Sequence, residues 1–287
     1  MSKLESFFNR PIGIFSWALS PDPATCAKRA VEHGFSCLQW GFPFELPEEE
    51  KTIGTARETQ AIYSDHGLDV VALAGYQNLV AHDPGYKTRA IRRLEQYIEL
   101  SDVFPASTGV ATETGTKNRE SQWHGHADNL KPESWDEMIA SMHRIGAAAK
   151  AAGTKILIEG YVENVVRTAD DLLKLQSQVD MEAFGFVMDP FNLFLEEQVT
   201  DMPAETGRIF AVMGDRVGIA HAKDLQYVDG VITTPRSGTG MFDFQTYFKL
   251  LDEHLPGVPL ILEHLEAHEV AGTLDFLKSE YESYQNS

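Results

Sequence analysis

The stretch from Lys155 to Asn192, KILIEGYVENVVRTADDLLKLQSQVDMEAFGFVMDPFN, decides the fold. Its first short apolar run, Ile156 to Ile158, stops on Glu159. Its second, Phe184 to Met188, stops on Asp189. Continuous apolar runs of this length are typical of strands that are buried on both faces, as in a parallel sheet. The stretch therefore predicts two buried strands whose ends carry carboxylates.

A helix start lies between the two runs. Thr168 to Asp171 has the Ser/Thr-x-x-acid form of a capping box, which predicts a helix that turns the leucines of residues 172–175 toward the sheet. Parallel strands joined by such a crossover end on the same side of the sheet. We therefore expect Glu159 and Asp189 to face one another at a common mouth.

The same alternation extends through the rest of the chain. The other predicted strands are Ile12–Trp17, Phe35–Trp40, Val70–Ala74, Ser107–Ala111, Val217–Ala220 and Pro259–Leu262. The other predicted helices are Ala24–His33, Glu48–His66, Tyr86–Leu100, one from a second capping box at Ser134–Glu137 through Ala152, Ala204–Met213, Phe244–His254 and Glu269–Tyr281. Eight strands alternating with eight helices favour a single (β/α)8 TIM barrel over residues 1–287, rather than a doubly wound sheet with a second domain.

The composition disfavours several classes of protein. The 287 residues include 24 basic and 43 acidic ones, a net charge of −19 that repels phosphate backbones and anionic lipid surfaces. No run approaches the roughly 18 apolar residues of a membrane span, and the first residues lack a long apolar core. Cys26 and Cys37 form neither a CxxC pair nor a disulfide framework, so we expect reduced thiols. We expect a cytoplasmic protein without nucleic-acid or membrane partners, and a homo-oligomer stays open.

Four predicted strand ends carry side chains that bind metals. Their separations are 30, 32 and 42 residues, and each step corresponds to one strand–helix unit. In a barrel such residues converge at the C-terminal mouth. A single acid after a strand is more often a helix cap or a solvated residue, but three clustered carboxylates with an imidazole favour one divalent ion, Mn²⁺, Mg²⁺ or Co²⁺. The four residues are Glu159, Asp189, His221 and Glu263.

Six segments resemble the successive signatures of one family. They are ILIEG with NVVRTADDL, FGFVMDPFNLF, VGIAHAKD, GTGMFDF and LILEH. In this order they are similar to the sugar phosphate isomerase/epimerase family, the xylose isomerase-like barrels, over nearly the whole chain. The resemblance implies that the four residues above hold the metal and that Glu159 and Glu263 also act as acid/base groups beside a sugar. Asn192 stands where many ketose epimerases have a histidine that contacts a substrate hydroxyl, and asparagine can hydrogen-bond there without taking up a proton.

The chemistry of such a site permits several reactions. A metal bound to a carbonyl and a neighbouring hydroxyl stabilises the ene-diolate that forms when a carboxylate removes a carbon-bound proton. Two glutamates on opposite faces invert a stereocentre, whereas one glutamate that shuttles the proton converts an aldose into a ketose. We predict an isomerase or epimerase of a small sugar, ketose or hydroxy-keto acid.

Three other classes compete with that prediction. A metal-dependent dehydratase of an inosose- or dehydroshikimate-like keto-polyol would use the same metal and base, so the metal site does not separate it from an isomerase. A binding barrel without enzymatic activity also stays open. A nuclease of the endonuclease IV branch is disfavoured by the net charge and by too few strand-end histidines.

Two basic residues are candidates for contacting the substrate. Lys223 lies two residues after His221 and therefore on the same side of an extended segment. It either contacts a substrate oxygen or forms an ion pair with Asp224 at the rim. Arg236 either binds a phosphate or carboxylate of the substrate or is an ordinary surface arginine.

Aromatic residues end the first three predicted strands. Trp17, Trp40 and Tyr76 form either an apolar wall against the sugar carbons or packing at the top of the barrel. His264 alternates with Glu263 and is expected to point away from the mouth, into the helix layer.

Two loop features complete the candidates. His124 and His126 form either a small metal clip or two exposed loop histidines. The SGTG sequence after Arg236 matches neither a dinucleotide fingerprint nor a P-loop, so we assign it to turn geometry.

Overall fold

Short apolar runs form the strands of a closed parallel barrel. The computed structural model describes residues 2–43 and 45–287. The strands in these residues are β1 (Ile12–Phe15), β2 (Cys37–Trp40), β3 (Asp69–Ala74), β4 (Val110–Glu113), β5 (Ile156–Glu159), β6 (Phe184–Met188), β7 (Val217–Ala222), β8 (Gln226–Val228), β9 (Val231–Thr233) and β10 (Leu260–Leu262). Eight of them close the barrel in the order β1, β10, β7, β6, β5, β4, β3, β2. The predicted (β/α)8 fold is confirmed.

Helices cover the outside of the barrel. They are α1 (Lys3–Phe8), α2 (Ser16–Leu19), α3 (Pro23–His33), α4 (Ile53–Asp65), α5 (Pro84–Leu100), α6 (Pro132–Ala152), α7 (Ala169–Gln176), α8 (Met202–Met213), α9 (Phe244–His254) and α10 (Val270–Gln285). The short helices α1 and α2 are additional to the eight predicted ones. Within residues 2–43 and 45–287, no helix is long and apolar enough to cross a membrane.

The two predicted capping boxes have different outcomes. At α7 the Thr168 hydroxyl accepts a hydrogen bond from the Asp171 backbone N–H at 3.2 Å, and the Asp171 carboxylate accepts one from the Thr168 N–H at 3.1 Å, which confirms the box. The predicted start of α6 at Ser134 is wrong. This helix begins at Pro132, because proline in the first turn presets the helical backbone, and the Ser134 hydroxyl donates to the Asp128 carbonyl at 2.7 Å.

Two other helix predictions need correction. The predicted helix from Glu48 begins only at Ile53, and Glu48–Glu50 forms a separate 3-10 turn. On α7, Leu172 and Leu175 are buried, but Leu173 is 56% exposed. Leu173 follows Leu172 by about 100° around the helix, which turns it away from the sheet.

The fourth strand lies later in the chain than predicted. The Thr108 side chain donates to the Val71 carbonyl at 3.0 Å, and the strand runs from Val110 to Glu113 rather than from Ser107 to Ala111. Glu113, two residues beyond the predicted strand, is the last residue of β4 and pairs with Glu159.

The long loop after β7 contains a hairpin that was not predicted. β8 and β9 pair antiparallel through a two-residue turn, Asp229–Gly230, in which both residues have positive φ, 51° and 82°. Asp-Gly is a favoured sequence for such a turn because Gly in particular tolerates this backbone. The sequence QYVDGVIT carried that signal.

Two hydrophobic clusters hold the barrel together. The larger lies between the strands and the helices. The smaller fills the barrel interior, and we call it the apolar layer: Cys37, Val71, Ala72, Ala111, Leu157, Val187, Ile219 and Ile261. Cys26 and Cys37 are both buried and free, as expected.

Candidate metal and substrate site

A polar layer lies directly above the apolar layer, two residues further along most of the strands. Side chains alternate along a strand, so residues i and i+2 face the same side and both layers point into the barrel. The consecutive pairs are Cys37 and Gln39, Ala111 and Glu113, Leu157 and Glu159, Val187 and Asp189, Ile219 and His221, and Ile261 and Glu263. We call the second members of these pairs the polar layer, and all of them are buried: Gln39, Glu113, Glu159, Asp189, His221 and Glu263.

Four residues of the polar layer form a cluster that could hold a metal ion. Glu159 ends β5, Asp189 and Glu263 directly follow β6 and β10, and His221 lies near the end of β7. Each offers one ligand atom, and these atoms all lie within 4.8 Å of one another. The His221 Nδ1 atom lies 3.1 Å from Asp189 Oδ2, 3.3 Å from Glu263 Oε1 and 3.6 Å from Glu159 Oε2. The structure thus brings together the four residues predicted from the sequence, and their role as ligands stays a prediction.

Lys223 enters the same cluster. Its ammonium nitrogen lies 2.5 Å from Glu263 Oε1, 2.7 Å from Asp189 Oδ2 and 3.9 Å from Glu159 Oε1. Lys223 follows β7 on the same side as His221, and it pairs with these acids rather than with Asp224.

The carboxylate of Asp224 organises the following loop. Its Oδ2 atom accepts hydrogen bonds from the backbone N–H groups of Gly238 and Gly240, both at 2.9 Å, and its Oδ1 atom accepts one from Phe242 at 3.0 Å. A side chain at Gly240 would collide with Leu225 and Asp224. The SGTG sequence is therefore a turn built around Asp224, as predicted.

Burial and neighbouring charges shift the pKa values of the three clustered carboxyls in different directions. Burial raises the pKa of Glu159 to about 8, although His221 partly opposes the rise. Burial acts in the same direction on Glu263, but His221 and Lys223 outweigh it and hold the pKa of Glu263 well below its usual range. Burial also favours protonation of Asp189, and Lys223 reverses the effect and lowers the pKa of that carboxyl.

His221 is oriented by an outer shell of hydrogen bonds. Its Nε2 atom lies 2.8 Å from Gln39 Oε1, while the Gln39 amide nitrogen donates to the Tyr76 hydroxyl at 3.2 Å. Tyr76 in turn donates to Glu159 Oε2 at 2.6 Å. Because an amide oxygen only accepts, Nε2 carries hydrogen. Burial opposes a charge on His221, but Glu263 and Glu159 outweigh it and raise the pKa of His221 to about 10, so Nδ1 holds a proton toward the carboxylates that a bound metal ion would displace.

The donor set fits a divalent cation. Asn192 donates to Glu159 Oε1 at 2.7 Å and to Asp189 Oδ2 at 3.3 Å, so Asn192 contacts two candidate ligands. The other oxygen of Asp189, Oδ1, is buried without a hydrogen-bond partner among the described residues. An unpartnered buried carboxylate oxygen is costly unless a cation binds it, and three carboxylates with one imidazole suit hard divalent ions.

A cavity of about 510 Å³ opens beside the cluster. Glu159, Glu263, Lys223 and Asn192 reach it from the cluster. Four aromatic residues also line it: Phe15, Trp17, Tyr76 and Trp123. The volume is that of a small-molecule site. Trp17 lies in α2 rather than at a strand end, and its indole N–H donates to the Gly41 carbonyl at 3.0 Å.

Two expected substrate contacts lie elsewhere. Trp40 is buried against Phe42 and Phe104, with ring centroids 4.9 and 4.8 Å apart, so the expectation that it faces the substrate is wrong. As the fourth residue of β2, Trp40 follows Gln39 and points to the helix side, where aromatic packing is the outcome. The Arg236 guanidinium is 2.8 Å from Glu269 Oε1 and does not line the cavity, which corrects its placement as an anion-binding residue.

The prediction for His264 is also corrected, and that for His124 and His126 is resolved. His264 does not point into the helix layer, because its φ of 57° interrupts the strand alternation after β10. Its side chain lines the cavity, and its Nδ1 atom contacts the Thr234 carbonyl. His124 and His126 are both exposed, which agrees with the second of the two alternatives, and His126 lies beside His82 and Asp128.

Several residues of the site were missed, among them Phe15, Tyr161 and Thr234 of the cavity wall. Gln39, Glu113 and Trp123 were missed as well and lie in the polar layer or on the cavity wall. For Glu113 the sequence GVATE carried the same signal as ILIE, an acid at the end of an apolar run. Gln39 is a polar residue within a buried strand, and its partner His221 lies 182 residues away in the sequence.

The fold and the position of this cluster at the barrel mouth define the class of protein. The chain belongs to the Xylose isomerase-like TIM barrel family, whose sequence profile matches residues 27–280. The resemblance inferred from the sequence segments is confirmed.

Individual relatives are more distant. The inosose dehydratase of Clostridium perfringens is 24% identical over 164 residues, which cover 51% of this chain and 52% of that protein. The match thus spans about half the length of this relative. Among solved structures, a 3-keto-D-glucoside 4-epimerase from E. coli has a TM-score of 0.70 at 14% identity, over 97% of this chain and 100% of that one. A barrel protein from Mycobacterium smegmatis in complex with magnesium has a TM-score of 0.64 at 20% identity, over 90% and 88%.

Proposed function

We propose that the protein is a divalent-metal-dependent isomerase or epimerase of a small sugar, ketose or hydroxy-keto acid. The observation that carries the proposal is the cluster of three carboxylates and one imidazole at the barrel mouth, open to a cavity of about 510 Å³. Active sites of (β/α)8 barrels lie at this end of the strands. Relatives that are epimerases and dehydratases agree with carbohydrate chemistry at a carbonyl-bearing substrate.

Glu159, Asp189, His221 and Glu263 would hold the ion, with Mn²⁺, Mg²⁺ or Co²⁺ as the expected metals. When bound, such an ion polarises the substrate carbonyl and stabilises the negative charge that develops as a carbon-bound proton leaves. The unpartnered Oδ1 of Asp189 supports this assignment. Gln39 fixes the orientation of His221 from the outer shell.

Glu159 and Glu263 are the proposed proton-transfer groups. Burial raises the pKa of Glu159 to about 8 in the absence of an ion, and a bound ion would displace that proton and leave a carboxylate able to accept one from the substrate. The pKa of Glu263 lies well below its usual range, which keeps that group a carboxylate able to accept one. Paired carboxyls whose environments push their pKa values apart are a typical acid/base arrangement. Asn192 and Lys223 would hydrogen-bond substrate oxygens, and Trp17 and Tyr76 would contact its carbons.

A dehydratase is the second candidate. Glu113 faces the cavity from β4, and burial, followed by the charge of Glu159, raises the pKa of Glu113 well above its usual range. A protonated carboxyl there could donate its proton to a leaving hydroxyl, which departs as water after Glu263 has removed the carbon-bound proton. The similarity to an inosose dehydratase agrees with this candidate.

One experiment separates the candidates. The protein is loaded with Mn²⁺ and incubated in D₂O with ketoses, aldoses and keto-polyols, and NMR then reads product and deuterium position. An isomerase or epimerase yields a product of unchanged hydroxyl count with deuterium at the reacting carbon. A dehydratase yields an unsaturated or deoxy product. Full activity after removal of metal by EDTA would contradict both.

A further inference from the structure

Asp189 and His221 lie just beyond the point where strands β6 and β7 stop pairing with each other. The last pair of this ladder is Met188 and Ala220, one position before each candidate ligand. The register of the two strands also shifts once along their length, which is a local irregularity. His221 still pairs with Ile261 on its other side, but that pairing does not connect it to Asp189. The distance between these two candidate ligands therefore depends on contacts other than strand pairing.

The hydroxyl of Tyr247, on α9, bridges the two strands at this point. It donates to the His221 carbonyl at 2.7 Å, and the Met188 carbonyl lies 3.3 Å from the same oxygen. A phenol has one O–H group, so the two carbonyls share it, with the shorter bond to His221. The Met188 carbonyl belongs to the peptide unit that leads into Asp189. Because a peptide unit is planar, holding this carbonyl also holds the plane that carries the Cα atom of Asp189.

The ring of Tyr247 is held in place by other aromatic rings. Tyr247 is fully buried, and it makes edge-to-face contacts with Phe191, Phe210 and Phe242 at centroid distances of 5.5, 5.9 and 5.8 Å. Such contacts are favourable at these distances. Phe191 belongs to the 3-10 turn Pro190–Asn192, which directly follows the candidate ligand of β6. The ring therefore supports the same segment that the hydroxyl bonds.

Packing alone does not require a hydroxyl at this position. A phenylalanine would fill nearly the same volume and keep the ring contacts, as Phe242, Phe244 and Phe248 do in the same segment, FDFQTYF. A buried hydroxyl costs free energy unless it forms a hydrogen bond. The hydroxyl of Tyr247 forms its bonds with the backbone that carries the two candidate ligands.

We propose that Tyr247 is a positioning residue of the metal site, whose hydroxyl sets the separation of Asp189 and His221 by bridging the carbonyls of Met188 and His221. Tyr247 acts through the backbone and does not line the cavity. The inference rests on the proposed function, because it concerns the same metal site. It adds a residue from the helix layer, outside the polar layer, to the groups that determine metal affinity.

The metal affinity of Tyr247→Phe tests the proposal. This change removes one oxygen and keeps the ring. Outer-shell partners of metal ligands typically contribute about 10–100-fold in affinity, and we expect the lower figure, a Kd for Mn²⁺ about tenfold higher, because the hydroxyl acts through the backbone. Calorimetry measures Kd. The visible spectrum of the Co²⁺-loaded protein should also change, because it reports the coordination geometry.

Tyr281→Phe is the matched control. Tyr281 is 6% exposed, and its hydroxyl donates to Asp252 at 2.9 Å, a bond that joins α10 to α9 rather than to a strand. Both variants lose one largely buried hydroxyl, so their melting temperatures should fall by similar amounts. Only Tyr247→Phe should change the Mn²⁺ affinity and the Co²⁺ spectrum. Parental affinity in Tyr247→Phe, or an equal loss of affinity in both variants, would overturn the proposal.

Hydrogen exchange in the metal-free proteins separates this inference from the proposed function. Backbone N–H groups of Asn192 and Leu193, in the turn after Asp189, should exchange faster in Tyr247→Phe than in the parent, and Tyr281→Phe should leave them unchanged. A parent that shows this difference but binds no Mn²⁺ would support the bridge and contradict the proposed function. A parent that binds Mn²⁺, with neither exchange nor affinity altered in Tyr247→Phe, would contradict the positioning role and leave the proposed function intact.

Discussion

The apolar and polar layers of the barrel lie on the same strands, two residues apart, and serve opposite purposes. In the apolar layer Leu157 fills the barrel centre, where its side chain reaches toward Gly109, Gly185 and Gly218. In the polar layer above it, Glu159 and its neighbours bury charge that contributes no apolar packing. Buried ion clusters are weak contributors to stability. The comparison indicates that the lower layer sustains the fold and the upper layer the chemistry, and variants in each can test that division.

The largest expected effect is in the polar layer. Glu263→Gln keeps the shape of the side chain and one ligand oxygen but removes the base, so turnover should fall by about 10²–10⁴, the usual contribution of general acid/base catalysis. Steady-state kinetics and D₂O exchange measure it, and elemental analysis should find the metal still bound. Glu266→Gln, an exposed glutamate on the following loop, is the control and should leave turnover unchanged.

The glutamate variants also test the division of labour between the two carboxyls. If Glu159 and Glu263 work on opposite faces, each single Gln variant still exchanges one substrate hydrogen with D₂O but forms no product. Loss of metal from both variants, with activity recovered by excess Mn²⁺, would show that neither glutamate is the base.

The apolar layer should give the reverse result. Leu157→Ala leaves a cavity that the facing glycines cannot fill, so the free energy of unfolding should fall by about 2–5 kcal/mol, while metal affinity changes little. Urea denaturation and calorimetry measure the two quantities. Leu173→Ala, at a leucine that is 56% exposed, should cost less than about 0.5 kcal/mol. A Leu157→Ala protein that is stable but binds no metal would contradict the division between layers.

Asp189→Asn should weaken the metal site without unfolding the chain. Replacing an outer-shell partner usually costs about 10–100-fold in metal affinity, and we expect at least the lower figure for a ligand. The Kd for Mn²⁺ measures it, with Asp180→Asn, in a surface ion pair with Lys150, as the control. Unfolding of Asp189→Asn with metal affinity retained would make Asp189 a structural residue.

The smallest expected effect lies outside both layers. Thr168→Ala removes the cap of α7 and should lower the free energy of unfolding by about 1 kcal/mol, with no change in metal affinity. Ser283→Ala, an exposed serine within α10, is the control and should stay within about 0.5 kcal/mol of the parent. Equal losses from both would mean that the capping box adds nothing specific.

Local patterns were enough to predict the barrel and the four clustered residues. An apolar run that ends on an acid or a histidine predicts both a buried strand and a polar residue at the barrel mouth. Side chains alternate along the strand with a period of two residues, so the same pattern decides which residues face the barrel interior. The same rule, applied one βα unit earlier, would have found Glu113. The rule does not predict the roles of Gln39 and Trp40, because β2 ends with a polar side chain that points inward and an aromatic one that points outward. Only the contact between Gln39 and His221 shows which of the two belongs to the site.

The ends of strands and the structure of loops were predicted less well, because hydrophobic periodicity carries no information about them. His264 escaped the strand alternation because its backbone turns to positive φ directly after β10. The β8–β9 hairpin was hidden in a loop that looked irregular, although its Asp229–Gly230 turn is a local signal. These errors lie in connections, where the backbone follows hydrogen bonds to specific partners.

Asp224, three residues after His221, closes the base of the β7–α9 connection. Its carboxylate accepts hydrogen bonds from backbone N–H groups between Gly238 and Phe242. The β8–β9 hairpin between these anchored ends can therefore change in length or sequence without moving the ends. Residues inserted at Asp229–Gly230 add little loop-closure entropy and leave the anchors in place. Thr234, just beyond β9, lines the cavity, so changes in hairpin length would reshape the substrate entrance while the four clustered residues keep their positions. A protein engineer could thus alter which small molecules enter the cavity without touching the four clustered residues.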